Sequence, residues 1–174
     1  MAFIPFLRLL MLAAPIMMMM QTAQAAPLRI VAIGASNTSG WGVGSGQAYP
    51  ERLQALLHAK GIAAQVTNAG IPFETTNGML GRIDRDVPAG TDLVILQPGG
   101  NDLRFFGTRE RRTNNINAMA ARLRARHIKV IVYDPVFPPE DYQWDRIHIN
   151  AEGHARIAAA LLPKVLAAIG SRKR

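Results

Sequence analysis

Four short apolar runs of strand length recur along the chain after residue 26. They occupy residues 28–33, 65–68, 93–96 and 128–133, contain Val, Ile or Leu, and end near Gly, Asn or Pro. Such runs, bounded by turn residues, are typical of strands that are buried on both faces of a sheet. The pattern therefore predicts four strands of a sheet that is covered on both sides.

Segments with helical spacing separate these runs and follow the last one. The first has Pro50 in its first turn and Gly61 as its cap, and the last runs from Asn150 as N-cap to Gly170. Pro163 inside the last helix is expected to remove a hydrogen bond and to produce a kink. The four predicted apolar faces are Tyr49, Leu53, Leu56 and Leu57; Met79, Leu80, Ile83 and Val87; Ile116, Met119, Ala120 and Leu123; and Ile157, Leu161 and Val165.

Strands and helices thus alternate four times. Alternation of this kind implies right-handed crossovers and a parallel sheet with helices on both faces. We predict a three-layer α/β/α sandwich with a four- to five-stranded parallel sheet, formed by residues 27–174 as one domain. In such sheets the reactive groups gather on loops at the carboxyl ends of the strands.

The first 26 residues are set apart by their composition. Arg8 precedes an apolar stretch at residues 9–20, and Ala23-Gln24-Ala25 follows as an A-x-A cleavage site. The stretch of roughly 12 apolar residues is shorter than the ~20 that a membrane-spanning helix needs. We predict a cleaved signal peptide at residues 1–26, and hence a periplasmic or secreted protein with no stable membrane span after cleavage. An uncleaved anchor is the alternative, which Pro15 disfavours.

The overall composition fits a globular protein, with 49% hydrophobic and 18% charged residues. Cysteine is absent, which excludes disulfides and a thiol nucleophile. The net charge of +8 comes largely from arginines between residues 104 and 126 and from the C-terminal tail. We place those arginines mostly on the polar face of one helix, without interleaved aromatic residues, so nucleic-acid binding is not expected.

Candidate chemistry lies on the predicted loop ends. After the first run, Ser36 stands between small residues, where a serine hydroxyl is exposed and its backbone N–H is free. The glycines that follow lack the spacing of a phosphate-binding loop. Gly70 follows the second run and Asn101 follows the third, so both are expected at the same edge of the sheet as Ser36. The backbone N–H of a glycine and the side-chain amide of an asparagine are donors of the kind that an oxyanion hole requires. Each of these segments is also an ordinary turn sequence.

Asp145 and His148 follow the fourth run, just before the last helix. A carboxylate three residues ahead of a histidine accepts a hydrogen bond from the near ring nitrogen, which leaves the far nitrogen to act as a base toward Ser36. A surface pair or half of a metal site is the alternative. No second histidine or carboxylate pair has ligand spacing on a neighbouring loop end, so we expect no metal and no cofactor.

Together these segments resemble the SGNH hydrolases, also called GDSL hydrolases, and in particular small bacterial thioesterases, lysophospholipases and arylesterases. The resemblance spans residues 29–168 and rests on the segment 34–40 around Ser36, on Gly70, on Asn101, and on Asp145 and His148. It implies hydrolysis of a small-molecule acyl ester or thioester by a Ser-His-Asp triad through an acyl-enzyme. The implied oxyanion donors are the Ser36 N–H, the Gly70 N–H and the Asn101 amide.

The sequence departs from that family in three places. Ala35 replaces the usual aspartate before the serine, and Phe73 stands where a glycine is common. The chain also lacks the helix and fifth strand that relatives insert between Tyr133 and Asp145, which predicts a four-stranded sheet. An envelope glycan O-acetylesterase of the same chemistry, or a non-catalytic glycan- or lipid-binding module with a degenerate cleft, remains an alternative function.

Overall fold

The computed structural model describes residues 26–105 and 107–170. Its centre is a sheet of four parallel strands in the spatial order β2-β1-β3-β4. The strands are β1 (Leu28–Gly34), β2 (Ala64–Gly70), β3 (Leu93–Gln97) and β4 (Lys129–Val132). The predicted signal peptide at residues 1–26 lies, apart from its last residue, outside the described residues.

Six α-helices connect and follow the strands in the described part of the chain. They are α1 (Ser36–Ser39), α2 (Tyr49–Ala59), α3 (Thr76–Asp86), α4 (Asn101–Phe105), α5 (Arg109–Ala125) and α6 (Ala151–Ile169), and a 3₁₀ turn covers Pro139–Asp141. Asn150 caps α6, with its side-chain oxygen accepting the Gly153 N–H. α6 continues through Pro163 as one helical element.

The central strands β1 and β3 are buried on both faces because two separate hydrophobic clusters flank the sheet, whereas β2 and β4, which were expected to be buried in the same way, lie at its edges and keep exposed positions. Alternate β1 residues point to opposite sides, so Ile30 joins the cluster under α2 and α6, and Ile33 joins the cluster under α3 and α5. Leu53 and Leu161 fill the first cluster, and all of these side chains are essentially inaccessible to solvent. The three-layer α/β/α sandwich with a parallel sheet is confirmed.

The register aligns the carboxyl ends of β1, β2 and β3. Gly34 at the end of β1 pairs with Gly70 of β2 on one side and with Gln97 of β3 on the other. Gly70 has no room for a side chain, because a β-carbon there would collide with the backbone of Ser39. The segments that follow β1, β2 and β3 therefore meet at one edge of the sheet.

The main differences from the sequence-based expectations are local. The segment at Asn68 to Gly70, expected as a loop, is the end of β2. The short helices α1 and α4 were not predicted. Between β4 and α6 the described chain has only the 3₁₀ turn and one isolated antiparallel bridge between Tyr142 and Ile149. The expected loss of a fifth strand is thus confirmed.

Candidate active site

Ser36 is the first residue of α1, two positions beyond the end of β1. The turn is tight because Gly34 packs against Thr38, where any β-carbon would collide with the threonine side chain. The side chain of Ser36 lines a cleft of about 340 Å³ at the carboxyl edge of the sheet. Its backbone N–H lies in the first turn of a helix, where N–H groups lack intrahelical acceptors and are available to an anion.

Asp145 and His148 form a compact hydrogen-bonded turn. One carboxylate oxygen of Asp145 lies 2.5 Å from His148 Nδ1, and the other accepts the backbone N–H groups of Ile147 at 2.9 Å and His148 at 3.0 Å. Burial acts to raise the pKa of Asp145, but these hydrogen bonds outweigh burial and hold that pKa at about 2. Asp145 is therefore a carboxylate at neutral pH, and it fixes the ring so that Nδ1 faces the carboxylate.

A direct hydrogen bond joins the Ser36 turn to the His148 turn. The side-chain oxygen of Asn37 accepts the backbone N–H of Ile149 at 3.0 Å. Gln143 supports the same turn, since its N–H donates to the His148 carbonyl and its side chain donates to the carbonyls of Trp41 and Ile149. In the described residues no hydrogen bond joins the Ser36 hydroxyl to the His148 ring, and catalytic bonds of this kind are often long before substrate binds.

The two other candidate oxyanion donors already make internal contacts. Asn101, the first residue of α4, donates one side-chain N–H to the Glu74 carbonyl at 2.9 Å and keeps its second amide hydrogen. The Gly70 N–H donates to its neighbour Asn68 Oδ1 at 3.0 Å, and Glu51 holds that asparagine from the other side. Gly70 has one N–H only, so the bond to Asn68 must open before Gly70 binds an oxyanion.

The loops after β2 and β3 are cross-linked below Asn101. The buried carboxylate of Asp102 accepts the N–H of Thr76 at 2.9 Å and its hydroxyl at 2.6 Å. Arg82, which is 5% exposed, binds the Glu74 carboxylate and the Gly34 carbonyl. These contacts fix the position of the Asn101 amide relative to the end of β1.

Aromatic rings cover the outer side of His148. The Trp41 ring stacks on the His148 ring with centroids 5.8 Å apart, and Phe73 meets Trp41 edge-on at 5.4 Å. Trp41 thus contacts the histidine and is not among the residues that line the cleft. Tyr142 lines the cleft, whereas Trp144 is 93% exposed and does not.

A buried polar network lies under α1. The Thr38 hydroxyl donates to Gln97 Oε1 at 2.8 Å and lies 3.2 Å from the Tyr49 hydroxyl. The Tyr49 N–H donates to His154 Nδ1 at 3.2 Å. Burial, with the charge of Arg52, lowers the pKa of His154 to about 4, and burial raises the pKa of Tyr49. Both groups are therefore neutral at physiological pH.

The cleft is rich in arginine, which sequence reasoning did not foresee. Arg104 of α4, Arg109 and Arg112 of α5, and Arg146 line it beside Ser36 and Asn101. Three of these arginines were placed on the polar face of one helix, but the short helix α4 and the start of α5 face the cleft. The position of Arg146 in the sequence, between Asp145 and His148, could have indicated that it lies near the cleft.

The rest of the described chain adds two observations. Among the described residues, no group of three or more His, Asp or Glu side chains is arranged to hold a metal ion. No helix of that part combines the length and the apolar character that crossing a bilayer requires.

The fold and the order of the loop residues define a class of enzyme, the SGNH hydrolases. A family model for the GDSL-like lipase/acylhydrolase family matches residues 32–162. This chain belongs to that family of ester-hydrolysing enzymes.

Individual relatives agree with this assignment. Esterase TesA of Pseudomonas aeruginosa is 30% identical over 173 residues, covering 94% of this chain and 84% of the relative. AlinE4, an SGNH-hydrolase family esterase of known crystal structure, is 26% identical in sequence, and its structure matches with a TM-score of 0.61. The match covers 87% of this chain and 83% of the AlinE4 chain. A crystal structure of TesA has the same fold, with a TM-score of 0.74 and 21% sequence identity. That match covers 80% of this chain and 99% of the TesA chain.

Proposed function

We propose that this chain hydrolyses carboxylic acyl esters or thioesters through an acyl-enzyme on Ser36, with His148 as general base and Asp145 as the group that orients it. The observation that carries the proposal is the Asp145–His148 turn, hydrogen-bonded to the residue next to Ser36. The ionised carboxylate keeps the proton on Nδ1 of the ring. Nε2 is then the basic nitrogen.

In the first step, His148 Nε2 takes the Ser36 hydroxyl proton as Oγ attacks the acyl carbon. The C–O or C–S bond of the leaving group breaks, and the imidazolium returns the proton to that group. In the second step, His148 deprotonates a water molecule, which attacks the acyl-enzyme and releases the carboxylic acid and free Ser36. Asp145 stabilises the imidazolium in both steps.

The negative charge that develops on the carbonyl oxygen needs fixed donors. The Ser36 N–H lies at the start of α1, and the second amide hydrogen of Asn101 lies on the segment after β3, which the Asp102–Thr76 and Asn101–Glu74 bonds hold to the segment after β2. The Gly70 N–H is the third donor, and it joins the others when its bond to Asn68 opens.

Labelling with a fluorophosphonate probe tests the proposal, because the probe reacts only with an activated serine. We expect labelling of the wild type and none of Ser36→Ala, with ester hydrolysis lost in Ser36→Ala and His148→Ala. Asp145→Asn should retain the fold and lose about 10⁴-fold in kcat, because the amide favours the wrong ring tautomer. Full activity in Ser36→Ala, measured on p-nitrophenyl butyrate, would overturn the assignment.

We also propose that residues 1–26 direct export and are removed, leaving residues 27–174 as the catalytic domain. The A-x-A site ends at Ala25, and β1 begins at Leu28, so cleavage there leaves the sheet intact. Mass spectrometry of the exported protein should give an N-terminus at residue 26 or 27. A protein that stays in the cytoplasm with Met1 attached would contradict this.

A further inference from the structure

The cleft beside Ser36 carries uncompensated positive charge. Arg104, Arg109, Arg112 and Arg146 line it, and Asp134 is its one acidic lining residue among those described. Arg112 binds Asp134 at 2.7 Å and also donates to the Gly99 carbonyl. The other three arginines have no ion-pair partner in the described part of the chain.

Three unpaired guanidinium groups around one concave site repel each other and focus a positive potential at its mouth. They come from separate segments, with Arg104 on α4, Arg109 at the start of α5, and Arg146 in the turn before His148. Elsewhere Arg82, Arg85 and Arg126 have carboxylate partners, whereas Arg111 and Arg124 on α5 make no ion pair among the described residues. What distinguishes Arg104, Arg109 and Arg146 is that these three unpaired side chains line one cleft together with Ser36.

The same cleft also offers apolar surface. Leu103, Val136 and Ile147 line it, and each remains substantially exposed. A neutral aliphatic ester would use this surface and leave the guanidinium groups facing water. A substrate with an apolar part and a carboxylate, phosphate or sulfonate group satisfies both kinds of lining, because guanidinium binds oxyanions in bidentate geometry.

We propose that the esters on which Ser36 acts carry a negative charge, and that Arg104, Arg109 and Arg146 bind that charged group in the cleft. The inference rests on the proposed function and narrows its substrate class to anionic esters. The anion belongs either to the acyl part or to the leaving group, and the guanidinium chemistry is the same for both.

Two matched substrate pairs test the proposal and separate these sources. Mono-p-nitrophenyl glutarate against p-nitrophenyl hexanoate places the charge on the acyl part, and 4-acetoxybenzenesulfonate against phenyl acetate places it on the leaving group. The variants are Arg104→Gln, Arg109→Gln, Arg146→Gln and their triple combination. Arg124→Gln is the matched control, because it lies roughly 22 Å along α5 from Arg109, beyond the screening length of salt.

We expect the triple variant to lower the ratio of kcat/KM for the anionic member to kcat/KM for the neutral member of one pair by about tenfold or more, with no change of that ratio in Arg124→Gln. Raising the salt from about 0.05 M to about 0.5 M should reduce the wild-type preference and leave the triple variant unaffected. Equal losses on neutral and anionic esters, or no loss in either pair, would overturn the inference. Absence of any Ser36-dependent hydrolysis of both the neutral and the anionic esters would instead overturn the proposed function, and the inference with it.

Discussion

The side-chain oxygen of Asn37 accepts the backbone N–H of Ile149 at 3.0 Å, across 112 residues of sequence. Asn37 directly follows Ser36, and Ile149 directly follows His148. Ile149 is fully buried, so its N–H has no access to water if the asparagine is removed. This bond therefore ties the position of the proposed base to that of the proposed nucleophile.

We predict that Asn37→Ala lowers kcat by about threefold to tenfold and leaves KM nearly unchanged, the range expected for one lost hydrogen bond of about 0.5–1.5 kcal/mol. Asn37→Asp keeps an oxygen acceptor at the same place and should recover most of kcat. Steady-state kinetics on one p-nitrophenyl ester, with unfolding curves for each variant, provide the measurement. A loss that appears in KM alone, or no recovery in Asn37→Asp, would show that the bond has only a structural role.

The sheet and its four large helices are predictable from the sequence because their apolar residues repeat at strand or helix spacing. Leu53 and Leu57, or Ile157 and Leu161, fall on one helical face and are buried there. α1 and α4 have four and five residues, which is too short for any periodicity to appear. β2 extends to Gly70 because main-chain pairing with β1 continues past the end of the apolar run.

The candidate site is partly predictable for the same reason. Ser36, Asn101 and His148 follow β1, β3 and β4, which are neighbours in the sheet, and parallel strands bring their carboxyl ends to one edge. The sequence could not predict that Arg104 and Arg109 line the cleft, because their placement depends on the direction in which α4 and α5 leave the sheet. The bonds from Asn37 to Ile149 and from Asn68 to Gly70 depend on side-chain orientation, which has no periodic signal.

Phe73 illustrates a departure from family pattern that the structure explains. Its φ angle is +64°, in the left-handed region, which glycine adopts without strain and a bulky residue does not. We predict that Phe73→Gly is more stable than Phe73→Ala by about 0.5–1 kcal/mol, since both lose the Trp41 ring contact and only alanine retains the strain. Chemical denaturation of the two variants measures the difference. Equal stability, or a more stable alanine variant, would contradict the strained backbone.

His154 should make the fold sensitive to mild acid. Its pKa in the folded protein is about 4, below the ordinary value of 6.5, so the unfolded chain binds more protons between these two pH values. Stability is therefore full above pH ~6.5 and falls as the pH drops toward ~4, by on the order of 2–3 kcal/mol. Asp145, with a pKa of about 2, loses its contribution only below the ordinary carboxyl range near 3.8, outside this window.

The matched variant is His154→Asn, whose side-chain oxygen can accept the Tyr49 N–H in place of Nδ1 and does not titrate. We expect its free energy of unfolding to change much less than that of the wild type between pH 6.5 and 4. Urea titrations at about five pH values within that range are sufficient. The same slope in both proteins would show that other groups carry the acid sensitivity.

The segment between β4 and α6 leads to a prediction about acyl length. It contains a single 3₁₀ turn, and Val136, which lines the cleft, is 96% exposed, so this side of the cleft is an open edge. A buried methylene contributes roughly 0.8 kcal/mol, or about fourfold per carbon, only where a wall removes it from water. We predict that kcat/KM on neutral p-nitrophenyl esters peaks between acetate and hexanoate and falls beyond. A steady rise out to dodecanoate, measured below the critical micelle concentration, would show that the chain builds a deep acyl channel.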